Sequence, residues 1–263
     1  MSSDPAETVV QKLTTLGRPD ESLWNDYGSM GVTMAHVPAL IELATGRLVF
    51  ETPEPASPAE EAAVWAPVHA WRALAELRAA EAAAPLTSLF ARADAADDEW
   101  ALEELPRVLA IIGEPALTPL EQCVNDVRLP EGARIPAAVT FEKLAARHPA
   151  LRERCAAILA AALARLADNQ PTLNGFIIGA MFDLKAREHF DVIEKAYKAG
   201  KVDQSICGKL ADVRQELRLP PEPSVPSRPA RKPMAPSVEI AINAALPKWN
   251  KLQPQDPLDS PLQ

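Results

Sequence analysis

The sequence predicts an all-α protein in which paired helices stack into an α-α superhelix with a disordered proline-rich C-terminal tail. Three observations predict it. Aromatic residues make up only 5% of 263 residues while Ala and Leu dominate, which favours helices, because Leu loses little rotamer freedom there and strands prefer β-branched and aromatic side chains. A helix–break–helix pattern recurs four times between residues 69 and 200. The composition then changes abruptly: from Pro220 onward, 11 of the chain's 26 prolines fall within 44 residues.

Residues 1–65 form a divergent N-terminal helical region. "SDPAETVVQKLTTLG" offers a cap, an early proline and an apolar face of Val9, Val10, Leu13 and Leu16. "TMAHVPALIELATG" repeats the theme and closes on Gly46. In "SPAEEAAVW", Ser57 is placed to cap, Pro58 occupies the first helical position and Glu60 the capping-box position.

The array spans residues 66–218. Its units, 69–90, 102–123, 138–159 and 179–200, align on Leu77, Leu109, Leu144 and Leu184, with spacings of 32, 35 and 40 residues. Such periods belong to helix pairs that hide their apolar faces by stacking on neighbours. In the second unit, Leu102, Leu105, Val108, Leu109 and Ile112 share one helical face. Asp97 or Asp98 caps its start and Gly113 suits the left-handed position past its end. Pro106 is expected to kink or split the helix, and Pro136 to hold the corresponding place in the next unit. A last helix near 203–217, apolar at Ile206, Leu210, Val213 and Leu217, closes the array. Residues 219–263 form the tail, an extended linker followed by a short apolar segment at 237–249.

Charge and cysteine usage restrict the function. A net charge of -9 opposes a phosphate backbone and argues against nucleic acid. The longest apolar run, residues 155–164, is about half the roughly 20 residues that cross a bilayer, so no membrane association is expected. No secretory signal is visible, and Cys123, Cys155 and Cys207 read as buried reduced thiols, which together point to a cytoplasmic protein.

The stretch "WAPVHAWRALAEL...AAPLTSLF...DDEWALEELPRVLAIIGEPALTPL", residues 65–120, resembles the HEAT-like repeat proteins of the phycobilisome-lyase type, a bacterial family of largely uncharacterised members. The resemblance extends over roughly residues 20–218. It implies a HEAT/armadillo-like solenoid and says little about function, because such arrays host scaffolds, lyase subunits, hydroxylases and a few DNA-repair enzymes. Metal-dependent relatives present His-Glu dipeptides, which this chain lacks; the reversed pair Glu188-His189 reads as a helix start. No metal and no cofactor is expected.

Candidate chemistry is sparse. Glu103 and Glu104 are adjacent on a helix and diverge by about 100°, so they cannot share one small acid/base site; a solvated face, with Glu103 paired to Arg107, is expected instead. Asp94, Asp97, Asp98 and Glu99 lack calcium-loop spacing and read as capping groups. Trp65, His69, Trp71, Arg72 and Trp100, together with Glu103 and Glu104, are the candidate partner-binding residues, since Trp and Arg anchor interfaces; the competing reading is large core side chains with locally satisfied indoles. The expectation is a non-catalytic interaction or scaffold protein whose concave face, lined by successive second helices, holds a protein or peptide. The alternative is a lyase-type or modification-associated subunit.

Overall fold

The computed structural model describes residues 5–20, 23–46, 50 and 57–220. The tail, including the segment at 237–249, lies outside the described residues, and so does the expectation that it is a linker. Among the described residues every regular element is an α- or 3-10 helix. An N-terminal group, α1 (Pro5–Leu13), α2 (Val37–Thr45) and α3 (Pro58–Ala63), precedes four helix pairs. The pairs are α4 (Ala66–Glu76) with α5 (Ala83–Ala95), α6 (Glu99–Ile112) with α7 (Leu117–Asn125), α8 (Glu131–Arg147) with α9 (Arg152–Ala164), and α10 (Pro171–Asp183) with α11 (Phe190–Lys198). Two short helices, α12 (Gln204–Cys207) and α13 (Leu210–Glu216), follow.

The helices start and stop where local chemistry directs. The Asp98 carboxylate accepts from the Ala101 amide at 2.9 Å at the start of α6, and the Ser57 hydroxyl accepts from the Glu60 amide at 3.3 Å at the start of α3, satisfying amides that have no partner within the helix. Gly113 ends α6 at φ 93°, in the region glycine tolerates. Two expectations are corrected here. First, Pro106 does not split α6, which continues through it as one helix, and Pro136 is not its counterpart: in cap-aligned register Phe141 faces Pro106, and Pro136 falls opposite Ala101. Second, the single helix expected at 203–217 is two, because Gly208 turns the backbone to φ 77° and the Asp212 carboxylate accepts from the Lys209 amide at 2.9 Å to start again.

The repeat is more regular than its leucines suggest. The residues that cap the first helix of each pair are Leu77, Gly113, His148 and Leu184, spaced 36, 35 and 36 positions apart. Leu77 and Leu184 are themselves caps, whereas Leu109 and Leu144 lie four residues before theirs, which is why the leucine spacing drifts. The outer two units end their first helices alike. Arg78 at φ 50° and Lys185 at φ 52° sit past the helix end, and the following amides of Ala79 and Ala186 reach back to the Leu74 and Met181 carbonyls at 3.0 and 2.9 Å. This closes otherwise unpaired carbonyls and puts a cation at the negative helix end. A 3-10 turn then leads into every second helix.

Packing follows two lines. Each of α2, α4, α6, α8, α10 and α12 touches the next in that order, and so does each of α5, α7, α9 and α11. The first helices contact one another more extensively than the second helices do. Between the two lines the chain buries its apolar faces, with Leu74, Phe90, Leu105, Leu109, Phe141 and Leu163 sealed from solvent; burying each such side chain stabilises by about 1.5–3 kcal/mol. Arginines tie neighbouring units through backbone carbonyls. Arg92 on α5 donates to Thr45 and Gly46 at the end of α2, and Arg152 on α9 donates to Leu184 and Lys185 at the end of α10. Among the described residues no helix is long and apolar enough to cross a membrane.

Candidate binding surface

The helix α4 is buried on all sides: Ala66 through Ala75 are inaccessible, although His69 and Arg72 lie among them. The cover on one side is formed by residues 17–20 and 23–28, largely irregular and held by polar groups of α4. The His69 Nε2 bonds to the Gly17 carbonyl at 2.8 Å and its Nδ1 to the Tyr27 hydroxyl at 2.9 Å. A carbonyl only accepts, so Nε2 carries the proton and Nδ1 accepts from Tyr27, a neutral imidazole. Burial pushes the His69 pKa below the usual imidazole range, with the nearby Arg72 charge acting in the same direction. Arg72 Nη1 donates to the Asp20 carbonyl at 2.6 Å. The Glu76 carboxylate accepts from the Tyr27 and Gly28 amides at 3.1 and 2.8 Å.

Arg72 is the centre of this network. Its Nε donates to Glu104 at 2.5 Å, and the two side chains are 1% and 3% exposed. The guanidinium carbon lies 5.0 Å from the Trp24 ring centre and 5.8 Å from that of Trp100, where the ring faces offset part of the cost of burying charge. Its Nη2 has no hydrogen-bond partner among the described residues. The expectation of a solvated Glu103–Glu104 face is therefore corrected for Glu104: the neighbouring α4 covers it, while Glu103 stays exposed. Arg107 stands 3.5 Å from Glu104.

The other candidates separate by environment. Trp71 is a core strut, 2% exposed, with its indole N–H donating to the Ala44 carbonyl at 2.8 Å. Trp65 and Trp100 are half-buried and meet edge to face, ring centres 5.7 Å apart, and Arg18 lies over Trp65. Beside them Trp100, Glu103, Glu104 and Arg107 line a depression of about 160 Å³. The candidate residues are thus brought together, but His69, Trp71, Arg72 and Glu104 are occupied within the chain.

A wider groove, about 610 Å³, opens between α6 and α8 and was not legible in the sequence. Arg107, Ala110 and Ile111 line it from α6, Lys143, Ala146 and Arg147 from α8, and Trp24 from the N-terminal stretch. Cap alignment would have paired Ile111 with Ala146, but no local signal brings Trp24 to them. On the second helices, where a docking face was expected, a hollow of about 270 Å³ lies between α5 and α7. On α9 that side presents the small exposed side chains of Ala157, Ala161 and Ala164.

Nucleophile and metal chemistry are weakly served. Burial pushes the thiols of Cys123 and Cys155 up to about 11, which leaves them protonated and unreactive near neutral pH. Cys207 is half-buried and bonds to the Tyr197 hydroxyl at 3.1 Å. Glu188 is held by Arg152, which keeps its carboxyl below the usual range. Among the described residues no three His, Cys, Asp or Glu side chains gather as a metal site. Comparison of the chain with protein-family models, curated proteins and solved structures gives no match.

Proposed function

We propose that this is a non-catalytic interaction or scaffold protein, built as a HEAT-like α-α superhelix that holds a protein or peptide on one helix face. The observation that carries the reading is the cap spacing of 36, 35 and 36 residues, joined to the contact of each first helix with the next first helix and of each second helix with the next second helix. Units of equal length added in one direction produce a surface that grows with repeat number, the working principle of stacked-helix binders. The first helices contact one another more extensively than the second helices do, and their line also carries the larger groove. The first-helix face is therefore the display face in this reading, in place of the second helices.

The test is site-specific photo-cross-linking in cells, with the probe at Ile111 on α6 or at Ala157 on α9. The expected result is discrete protein adducts from Ile111 that Ala157 does not give. Adducts from neither position would overturn the reading.

A further inference from the structure

The groove between α6 and α8 has a definite chemical character. Three cations, Arg107, Lys143 and Arg147, line it together with Trp24, Ile111, Ala110 and Ala146, and no carboxylate is among the described residues that line it. This runs against the background of a chain with net charge -9. The Lys143 ammonium is 3.8 Å from Glu142, longer than a good charge-assisted hydrogen bond, and so keeps donors for a further acceptor. Arg147 and Lys143 stand in the last turns of α8, where the helix dipole alone favours positive charge. The dipole does not explain Arg107 of the neighbouring α6 and an indole from a remote segment converging on the same space.

The protein also shows how this side takes up a chain. Residues 17–20 and 23–28 lie along α4, largely irregular, with His69, Arg72 and Glu76 bonding to their main-chain groups. Trp24 belongs to that segment and forms one wall of the groove, so a second chain in the groove would continue the same line of binding.

We propose that the α6–α8 groove binds an extended acidic peptide segment of a partner protein, its carboxylates facing Arg107, Lys143 and Arg147 and an apolar side chain packing on Trp24 and Ile111. This rests on the reading that the first-helix face holds a protein or peptide, and it names the class. Nucleic acid shares the negative charge but fits less well. Its phosphates continue at every step beyond the groove into the field of a negatively charged protein and onto the exposed Glu103, whereas a peptide can confine its carboxylates to the positions opposite the cations.

The experiment measures fluorescence anisotropy of a short labelled peptide of alternating Glu and Leu with the full-length protein, beside its Lys/Leu counterpart and oligothymidylate. The Glu/Leu peptide is expected to bind and to weaken as salt is raised. Arg147→Glu and Lys143→Glu are each expected to weaken it by about tenfold or more, while Glu153→Lys on α9 leaves it unchanged. Circular dichroism establishes that each variant stays folded. Equal binding of the Lys/Leu peptide, unchanged binding by both groove variants, or tighter groove-dependent binding of oligothymidylate would overturn the proposal. If no Glu/Leu binding is seen while cross-links from Ile111 persist, the acidic-peptide assignment fails and the interaction reading stands; loss of both removes both.

Discussion

Arg72 and Glu104, 32 positions apart in the chain, meet at 2.5 Å where almost no solvent reaches either side chain. The pair joins α4 to α6, and Arg72 also holds the Asp20 carbonyl of the covering segment, so one buried cation links two repeat units and the N-terminal region. Glu104→Leu leaves that cation uncompensated and is expected to destabilise the protein by about 3–5 kcal/mol. Replacing both residues, Arg72→Met with Glu104→Leu, is expected to recover much of the loss, since two apolar groups need no counter-charge. Urea unfolding of the two variants checks this; a single variant as stable as the parent would show that the pair is not sealed.

Trp71 fills the space between α2 and α4 and donates to the Ala44 carbonyl. Trp71→Ala removes the ring and leaves an acceptor unpaired, with an expected cost of about 3–5 kcal/mol. A loss under about 1 kcal/mol in thermal or urea unfolding would instead place the indole at the surface.

Gly175 on α10 faces α12 at close range. A Cβ there would stand 3.0 Å from the Asp203 carbonyl oxygen and 3.2 Å from the Ile206 Cβ. Gly175→Ala is expected to cost about 1–3 kcal/mol by overpacking, and amide exchange is expected to rise in α12 before it rises in α6. Uniform exchange across the protein would contradict a local effect.

Acid should loosen the N-terminal cover. Burial holds the His69 pKa in the folded state below its unfolded value of about 6.5, so the unfolded chain binds more protons in acid. Stability is then fully present above that value and is lost as pH falls from it through the lower folded pKa. Protonation also turns Nδ1 into a donor where it now accepts from Tyr27. Unfolding free energy measured between pH 8 and pH 5 is expected to fall, and His69→Gln to flatten that part of the slope. An equal slope in parent and variant would assign the effect to other groups.

Local features were readable from residues that lie within one turn of each other. Ser57 and Asp98 at helix starts, Gly113 at a helix end and the four helix pairs all rest on hydrogen bonds and apolar spacing of a few residues, which adjacent side chains decide. Trp71 was legible only as either a partner anchor or a core side chain, and its burial with the indole bonded to Ala44 decides for the core. The cap register was only half visible: Leu77 and Leu184 stand at helix ends while Leu109 and Leu144 stand one turn earlier, and a leucine serves either position.

Three-dimensional packing decided the rest. Glu103 and Glu104 are equivalent in the sequence, yet the approach of α4 buries one and leaves its neighbour in water, since their directions on α6 differ by about 100°. Nothing near residue 24 announces that its indole will face Arg72 and wall a groove with Arg107 and Arg147. Helix formation is a property of short stretches, whereas the burial of a charge depends on which distant segment covers it; Arg72 is sealed where Asp20 and Trp24 lie against α4, a contact spanning some 50 positions of chain.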